Sequence, residues 1–156
     1  MSYTTAVTDR TAADVAAKNT KAYFNVADWT RIYDNTLFIN VLLQDVEHLA
    51  DFTTISTPTI TTIPSVTNFN TLIQNIKNIQ VIVESFLNSP AGLALLKADW
   101  AAGVGEQTFN YLHVNSWEQN ISILYTFLNG LTMPRKNRSG ITTSGASLTR
   151  NNRFRG

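Results

Sequence analysis

Few residues in this chain have side chains suited to chemistry. Two histidines, His48 and His113, are all it offers for a His-based triad or an imidazole metal site, and it has no cysteine. Without thiols there are no disulfides, no Cys-based zinc sites and no thiol nucleophile. Glu47, His48 and Asp51 lie close in sequence, but their spacing does not put all three on one helix face, so they make a poor metal set. Asp45 with Asp51, and Glu84 with Asp99, are carboxylate pairs that nothing marks as a general acid and base; they read as solvated helix faces. Gly103-Val104-Gly105-Glu106 lacks the Lys-Ser/Thr of a phosphate loop and the third glycine of a dinucleotide site, so it reads as a turn. His113 reads as a helix cap or surface residue, and His48 as solvent-facing. The resulting expectation is a protein with no catalytic residue, cofactor, metal or small-molecule substrate.

The other chemistry on offer is positive charge. Residues 132–156 hold six basic side chains, Arg135, Lys136, Arg138, Arg150, Arg153 and Arg155, and no acid. Residues 1–131 hold 6 basic and 11 acidic side chains, a balance of −5. The chain therefore reads as an acidic domain with a basic tail. The tail is rich in Gly, Ser, Thr, Asn and Arg, too poor in apolar residues to fold by itself. Its six charges fall in two clusters, and two readings compete. It is a docking arm laid across a neighbouring subunit, with Phe154 and the basic residues as contacts, or it grips nucleic acid through phosphates with Phe154 stacking on bases. The wide spacing of the charges favours the docking arm.

The elements that must carry these residues follow from apolar spacing. Residues 1–10 have no helical period and read as an extended arm. Thr11-Ala12-Ala13-Asp14 opens a short helix ending by Thr20 with a capping-box pattern. Residues 25–51 form the first long helix, with Asn25 as N-cap and Trp29, Ile32, Leu37, Ile39, Leu42, Leu43, Val46 and Leu49 as its stripe. Residues 52–65 are Thr, Ser, Ile and Pro, which disfavour helix and predict an extended linker. The second long helix covers 65–88, its stripe running from Phe69 to Phe86. A shorter helix is expected over 91–101, with Leu93, Leu96 and Trp100 inward. The third long helix spans 114–131 around Trp117, Ile121, Leu124, Tyr125 and Leu128, and Pro134 is expected to stop it. Trp29, Phe69, Trp100 and Trp117 fall at core positions, not in an exposed sugar-stacking platform.

The long helices begin alike. Val26-Ala27-Asp28-Trp29, Val66-Thr67-Asn68-Phe69 and Val114-Asn115-Ser116-Trp117 share a valine, a small polar residue and a large aromatic, 40 and 48 residues apart. A polar residue near the start caps free amides, and an aromatic one turn in anchors the helix. The expected fold is all-α: an irregular helical bundle of three long helices plus short ones, over residues 11–131, with extended arms at 1–10 and 132–156.

Two segments carry a family resemblance. Thr8-Asp9-Arg10-Thr11-Ala12-Ala13-Asp14-Val15, followed by Tyr23-Phe24-Asn25-Val26-Ala27-Asp28-Trp29-Thr30-Arg31-Ile32, resembles a helical module of minor structural proteins of bacteriophages that infect Gram-positive bacteria. Ile63-Pro64-Ser65-Val66-Thr67-Asn68-Phe69 and Leu112-His113-Val114-Asn115-Ser116-Trp117-Glu118 resemble its second and third helix starts. The likeness covers about residues 8–130 and leaves the tail without a counterpart. It implies a virion component of tail, baseplate or neck, assembled in many copies with other virion proteins and copies of itself, and without catalytic residues.

Composition agrees on several points. Only 15% of the 156 residues are charged, so repulsion does little to keep copies apart. No apolar run is long enough for a membrane span, and the first residues lack the apolar core of a signal peptide. The expectation is a homo-oligomeric virion protein assembled in the host cytoplasm, with nucleic acid binding as the alternative.

Overall fold

The computed structural model describes residues 2–21, 24–56, 65–97, 99–100 and 110–139; over 132–139 it describes the backbone alone. The described residues are helical without strands: α1 (Ala12–Ala17), α2 (Val26–Asp45), α3 (Val66–Phe86) and α4 (Tyr111–Ser139).

Each start has a local cause. Thr11 and Asp14 form a reciprocal capping box at α1, and Asn25 and Asp28 form another at α2. The Ser65 hydroxyl accepts the Asn68 amide at α3. At α4 the Asn110 side chain accepts the Leu112 amide, and His113 Nδ1 accepts the Asn110 amide at 3.3 Å. His113 is thus a capping residue. Burial, then nearby Lys97, pushes its imidazole pKa below the usual value.

The ring contacts fix the direction of the helices. Trp29, Phe69 and Trp117 lie in the early turns of α2, α3 and α4, and all three meet around Phe24. Trp29 and Phe69 lie edge to face at 5.1 Å, as do Phe24 and Trp117 at 6.3 Å, and Phe69 and Trp117 are tilted at 6.1 Å. Further along, Phe38 of α2 approaches Tyr125 of α4 at 6.2 Å, and His48 beyond α2 stacks on Phe86 at the end of α3 at 5.3 Å. The three long helices therefore begin at one end and run parallel. Ile32, Leu43, Leu72, Ile76, Val83, Ile121 and Leu128 fill the space between them and are buried.

Parallel helices need return connections as long as the helices themselves. A 20-residue helix spans about 30 Å, which nine or ten extended residues can cover. The extended segments 2–10, 51–56 and 93–97 lie in the grooves between helices. This arrangement corrects four expectations. No helix forms over the described part of 91–101. Gly92 turns the chain at φ +89°, a left-handed conformation suited to glycine, and residues 93–97 run on without helical structure. Leu96 is buried there and Leu93 and Trp100 pack on the core, so their inward placement was right and the element wrong. α2 ends at Asp45 instead of reaching 51, and Leu49 is 73% exposed. Phe86 does not face the core; it is 64% exposed. α4 continues past Gly130 and through Pro134 to Ser139, so the first eight residues of the expected extended tail are helical. The linker over 57–64, the turn at Gly103–Glu106 and residues 140–156 lie outside the described residues.

Candidate functional site

The groove between α2 and α4 holds the N-terminal segment 2–10 and gathers the buried charges of the described residues. Tyr3 stacks on Tyr125 with ring centroids 3.8 Å apart, and burial raises its phenol pKa. The Thr4 amide donates to Asn35 Oδ1 at 2.8 Å, and Asn35 Nδ2 donates back to the Thr4 carbonyl at 2.7 Å. The Val7 amide donates to Glu118 Oε2 at 2.7 Å. Arg10, 5% exposed, then turns its guanidinium inward.

Four charges meet there. Arg10 contacts Asp28 at 2.8 Å and Glu118 at 3.1 Å, while Arg31 contacts Asp28 at 2.5 Å and Glu118 at 2.6 Å. Two guanidiniums and two carboxylates cancel, which is what permits burial of so much charge. Each member is also positioned by its element. Asp28 Oδ2 accepts the Asn25 amide as part of the α2 capping box, leaving Oδ1 for the arginines. Glu118 comes from α4 two turns in, and Arg31 lies one turn beyond Asp28 on α2. The Glu118 hydrogen bond, opposed by burial and helped by Asp28, pushes the Arg31 pKa above its ordinary value.

The segments behind the resemblance converge on this cluster. Arg10 belongs to the first motif, Asp28 and Arg31 to the second, and Glu118 follows Trp117 in the last. Asp9 and Asp14 of the first motif stay out of the cluster, in exposed contacts with Lys21, Thr11 and Asn19. Inspection of single helices misses the cluster, because its members come from three separate stretches of chain. The signal that could have found it is an isolated arginine beside an arm that otherwise has no reason to stay put.

A second recurrent device holds the return segments. Asn75 bonds both backbone groups of Thr53, at 2.9 and 2.8 Å, and Asn120 does the same for Ala94, at 2.8 and 2.8 Å. Asn70 holds Trp100 at 2.9 and 2.8 Å, and Asn115 holds Arg10 at 3.3 and 2.8 Å. A carboxamide carries an acceptor and a donor side by side, so it satisfies the exposed edge of an extended residue as a neighbouring strand would. Asn35, Asn75 and Asn120 each clamp the segment that precedes their own helix. The segment then reaches the preceding helix in cyclic order: Ile55 donates to the Tyr33 hydroxyl at 3.3 Å, Trp100 is held by Asn70 of α3, and Arg10 by Asn115 of α4. The shared helix starts thus belong to a threefold repeat of extended segment plus helix, closed on itself when the arm enters the α2–α4 groove.

Arg135, Lys136 and Arg138 lie on the last turns of α4, and Arg150, Arg153, Phe154 and Arg155 lie outside the described residues. Among the described residues no group of three His, Cys, Asp or Glu side chains has metal-site geometry. Glu84 accepts from Gln80, and Asp99 pairs loosely with Lys97 at 3.8 Å. His48 is half-buried against Phe86, in place of the expected solvent-facing position. Trp29 and Trp117 are buried, and both rings meet Phe24 and Phe69. Two open cavities of about 320 Å³ flank the long helices, one lined by Pro90, Ile123 and Phe127, the other by Asp51, Asn70, Gln74 and Asn78. No helix among the described residues is long and apolar enough to cross a membrane. No protein-family model matches the chain, and no curated protein or solved structure matches it.

Proposed function

We propose that the chain is a non-enzymatic structural subunit of a bacteriophage particle, present in many copies in a tail, baseplate or neck. Its body is a three-helix bundle, and its terminal segments dock on neighbouring copies and on other virion proteins. The observation that carries this reading is the fate of the motif charges. Arg10, Asp28 and Glu118 are buried, Arg31 is partly buried, and the four are paired with one another, so these motif residues serve to fasten an arm. A low-charge surface and a basic C-terminal stretch without acids support association through complementary patches.

α4 runs to Ser139, so the test separates two parts of the tail. One variant ends after Ser139; a second neutralises Arg135, Lys136 and Arg138. Both are followed for incorporation into particles and for DNA binding across a salt series. Loss of incorporation, with no DNA affinity in the intact chain, is the expected result. Normal incorporation with steeply salt-dependent DNA binding that disappears with the tail would refute it in favour of a nucleic-acid-binding protein.

A further inference from the structure

We propose that the α2–α4 groove is a docking site for the N-terminal arm of a second copy of this chain, so that Arg10 of one copy completes the Asp28–Arg31–Glu118 cluster of the next. The inference rests on the reading of the chain as a multi-copy subunit.

The cluster needs an arm. Without Arg10, the buried carboxylates of Asp28 and Glu118 face Arg31 alone, which leaves one uncompensated negative charge in the interior. It does not need its own arm. Every group that fastens residues 2–10 lies on α2 or α4: Tyr125, Asn35, Glu118, Asn115 and Asp28. The described tether residues add only an exposed contact to that grip. α1 has no buried residue, Val15 is 47% exposed, and the helix is held by its own capping box. The Lys21–Asp9 ion pair is exposed and joins the tether to the arm itself, so it travels with the arm.

An arm exchanged between copies makes the same contacts as an arm that stays home. The balance then depends on the tether and on local concentration, as in other exchanges of identical elements. A tether packed on the body would oppose exchange, and its described residues, 11–21, include none that is buried. The thirteen residues from Thr11 to Tyr23 span up to about 40 Å when extended, more than the length of α2, which suffices to reach a neighbouring body. The low surface charge removes the long-range repulsion that would keep bodies apart.

The test uses the absence of native cysteines. Tyr3 and Tyr125 are each replaced in the double variant Tyr3→Cys/Tyr125→Cys, which is oxidised at high protein concentration and run without reductant. Disulfide-linked dimers whose bridges join position 3 of one chain to position 125 of another are expected. Monomers closed by an internal bridge overturn the proposal. The unaltered chain is followed in parallel by light scattering across a concentration series. A dimer that is lost in Val7→Pro, which removes the amide held by Glu118 and leaves α2 and α4 unaltered, supports exchange. A monomer at every concentration, or a dimer indifferent to Val7→Pro and to deletion of residues 2–10, overturns it. A chain that enters particles but never exchanges arms loses this inference alone; one that exchanges arms but never enters particles loses only the particle reading.

Discussion

Replacing Glu118 with glutamine tests the charge cluster at its centre. The glutamate side chain is 1% exposed and accepts five hydrogen bonds, one from the Val7 amide, two from Arg10 and two from Arg31. Glu118→Gln keeps the shape and removes the charge. Two guanidiniums are then left with Asp28 as their one carboxylate, and guanidiniums do not shed their protons in this setting. An unbalanced buried charge of this kind costs about 3–5 kcal/mol. In a chain of this size each kcal/mol lowers the melting temperature by about 2–4 °C, so a fall on the order of 10 °C is expected in thermal unfolding followed by circular dichroism. A second assay reads the arm directly. Arg10 is buried, so trypsin is excluded from the Arg10–Thr11 bond while the arm is docked, whereas Lys18 and Lys21 in the exposed tether are cut in either chain and serve as an internal reference. At 1.4 kcal/mol per factor of ten, a loss of 3 kcal/mol in docking raises cleavage after Arg10 by about a hundredfold. A melting temperature within about 2 °C of the parent, together with unchanged cleavage after Arg10, would refute the argument that the cluster holds the arm.

Three further outcomes follow from the same structure. Asn75→Ala and Asn120→Ala each remove both partners of an extended backbone residue, and each is expected to cost about 2–3 kcal/mol in urea unfolding; losses under about 0.5 kcal/mol would show that the clamps are incidental. Gly130→Ala, in a helix with nothing near the new methyl, is expected to raise stability by up to about 1 kcal/mol, whereas Gly92→Ala, at φ +89° with Ile123 Cδ1 3.5 Å from the new carbon, is expected to lower it. Burial and Lys97 hold the His113 pKa below 6.5, so the unfolded chain binds the proton first; stability is expected to be full above about pH 6.5 and to fall as the pH drops through that value toward the lower folded pKa, a decline that His113→Gln flattens in urea titrations at pH 5–7.

Helix starts were legible because their causes are local. Thr11/Asp14 and Asn25/Asp28 announce themselves within four residues, and the structure uses each as a cap; at α3 the cap is Ser65, one residue before the shared Val66-Thr67-Asn68-Phe69 start. The apolar stripes of α2, α3 and α4 were legible for the same reason, since a 3.6-residue period is written in adjacent turns. Helix ends were less so. Leu49 and Phe86 continue the period on paper, but the chain must leave the helix to begin its return, and both side chains end up largely exposed. Pro134 illustrates the opposite case: a proline removes one amide and crowds one carbonyl, yet α4 continues past it to Ser139.

The segment around Leu96 shows where local reasoning fails. Ala91 to Trp100 carries inward residues at a spacing that suits a helix, and Gly92 is the local residue that opposes that choice. The choice is made by Asn120 and Asn70, which lie 26 and 30 residues from the groups they hold and offer hydrogen bonds to an extended backbone. A helix there would satisfy its own amides and leave these two carboxamides without their backbone partners.

The amino-acid sequence by itself determined that the chain is helical, where its first two long helices begin, which aromatic residues anchor the long helices, and that it lacks thiols and a convergent set of histidines; α4 starts at Tyr111, three residues before the expected 114. Those properties depend on neighbours a turn or two away. Only the tertiary structure decided that the long helices run parallel, that extended segments fill the grooves between them, and that Arg10, Asp28, Arg31 and Glu118 form one neutral cluster. Buried charge is stable only when its partners arrive together, and here they arrive from positions up to 108 residues apart, which no local pattern can encode.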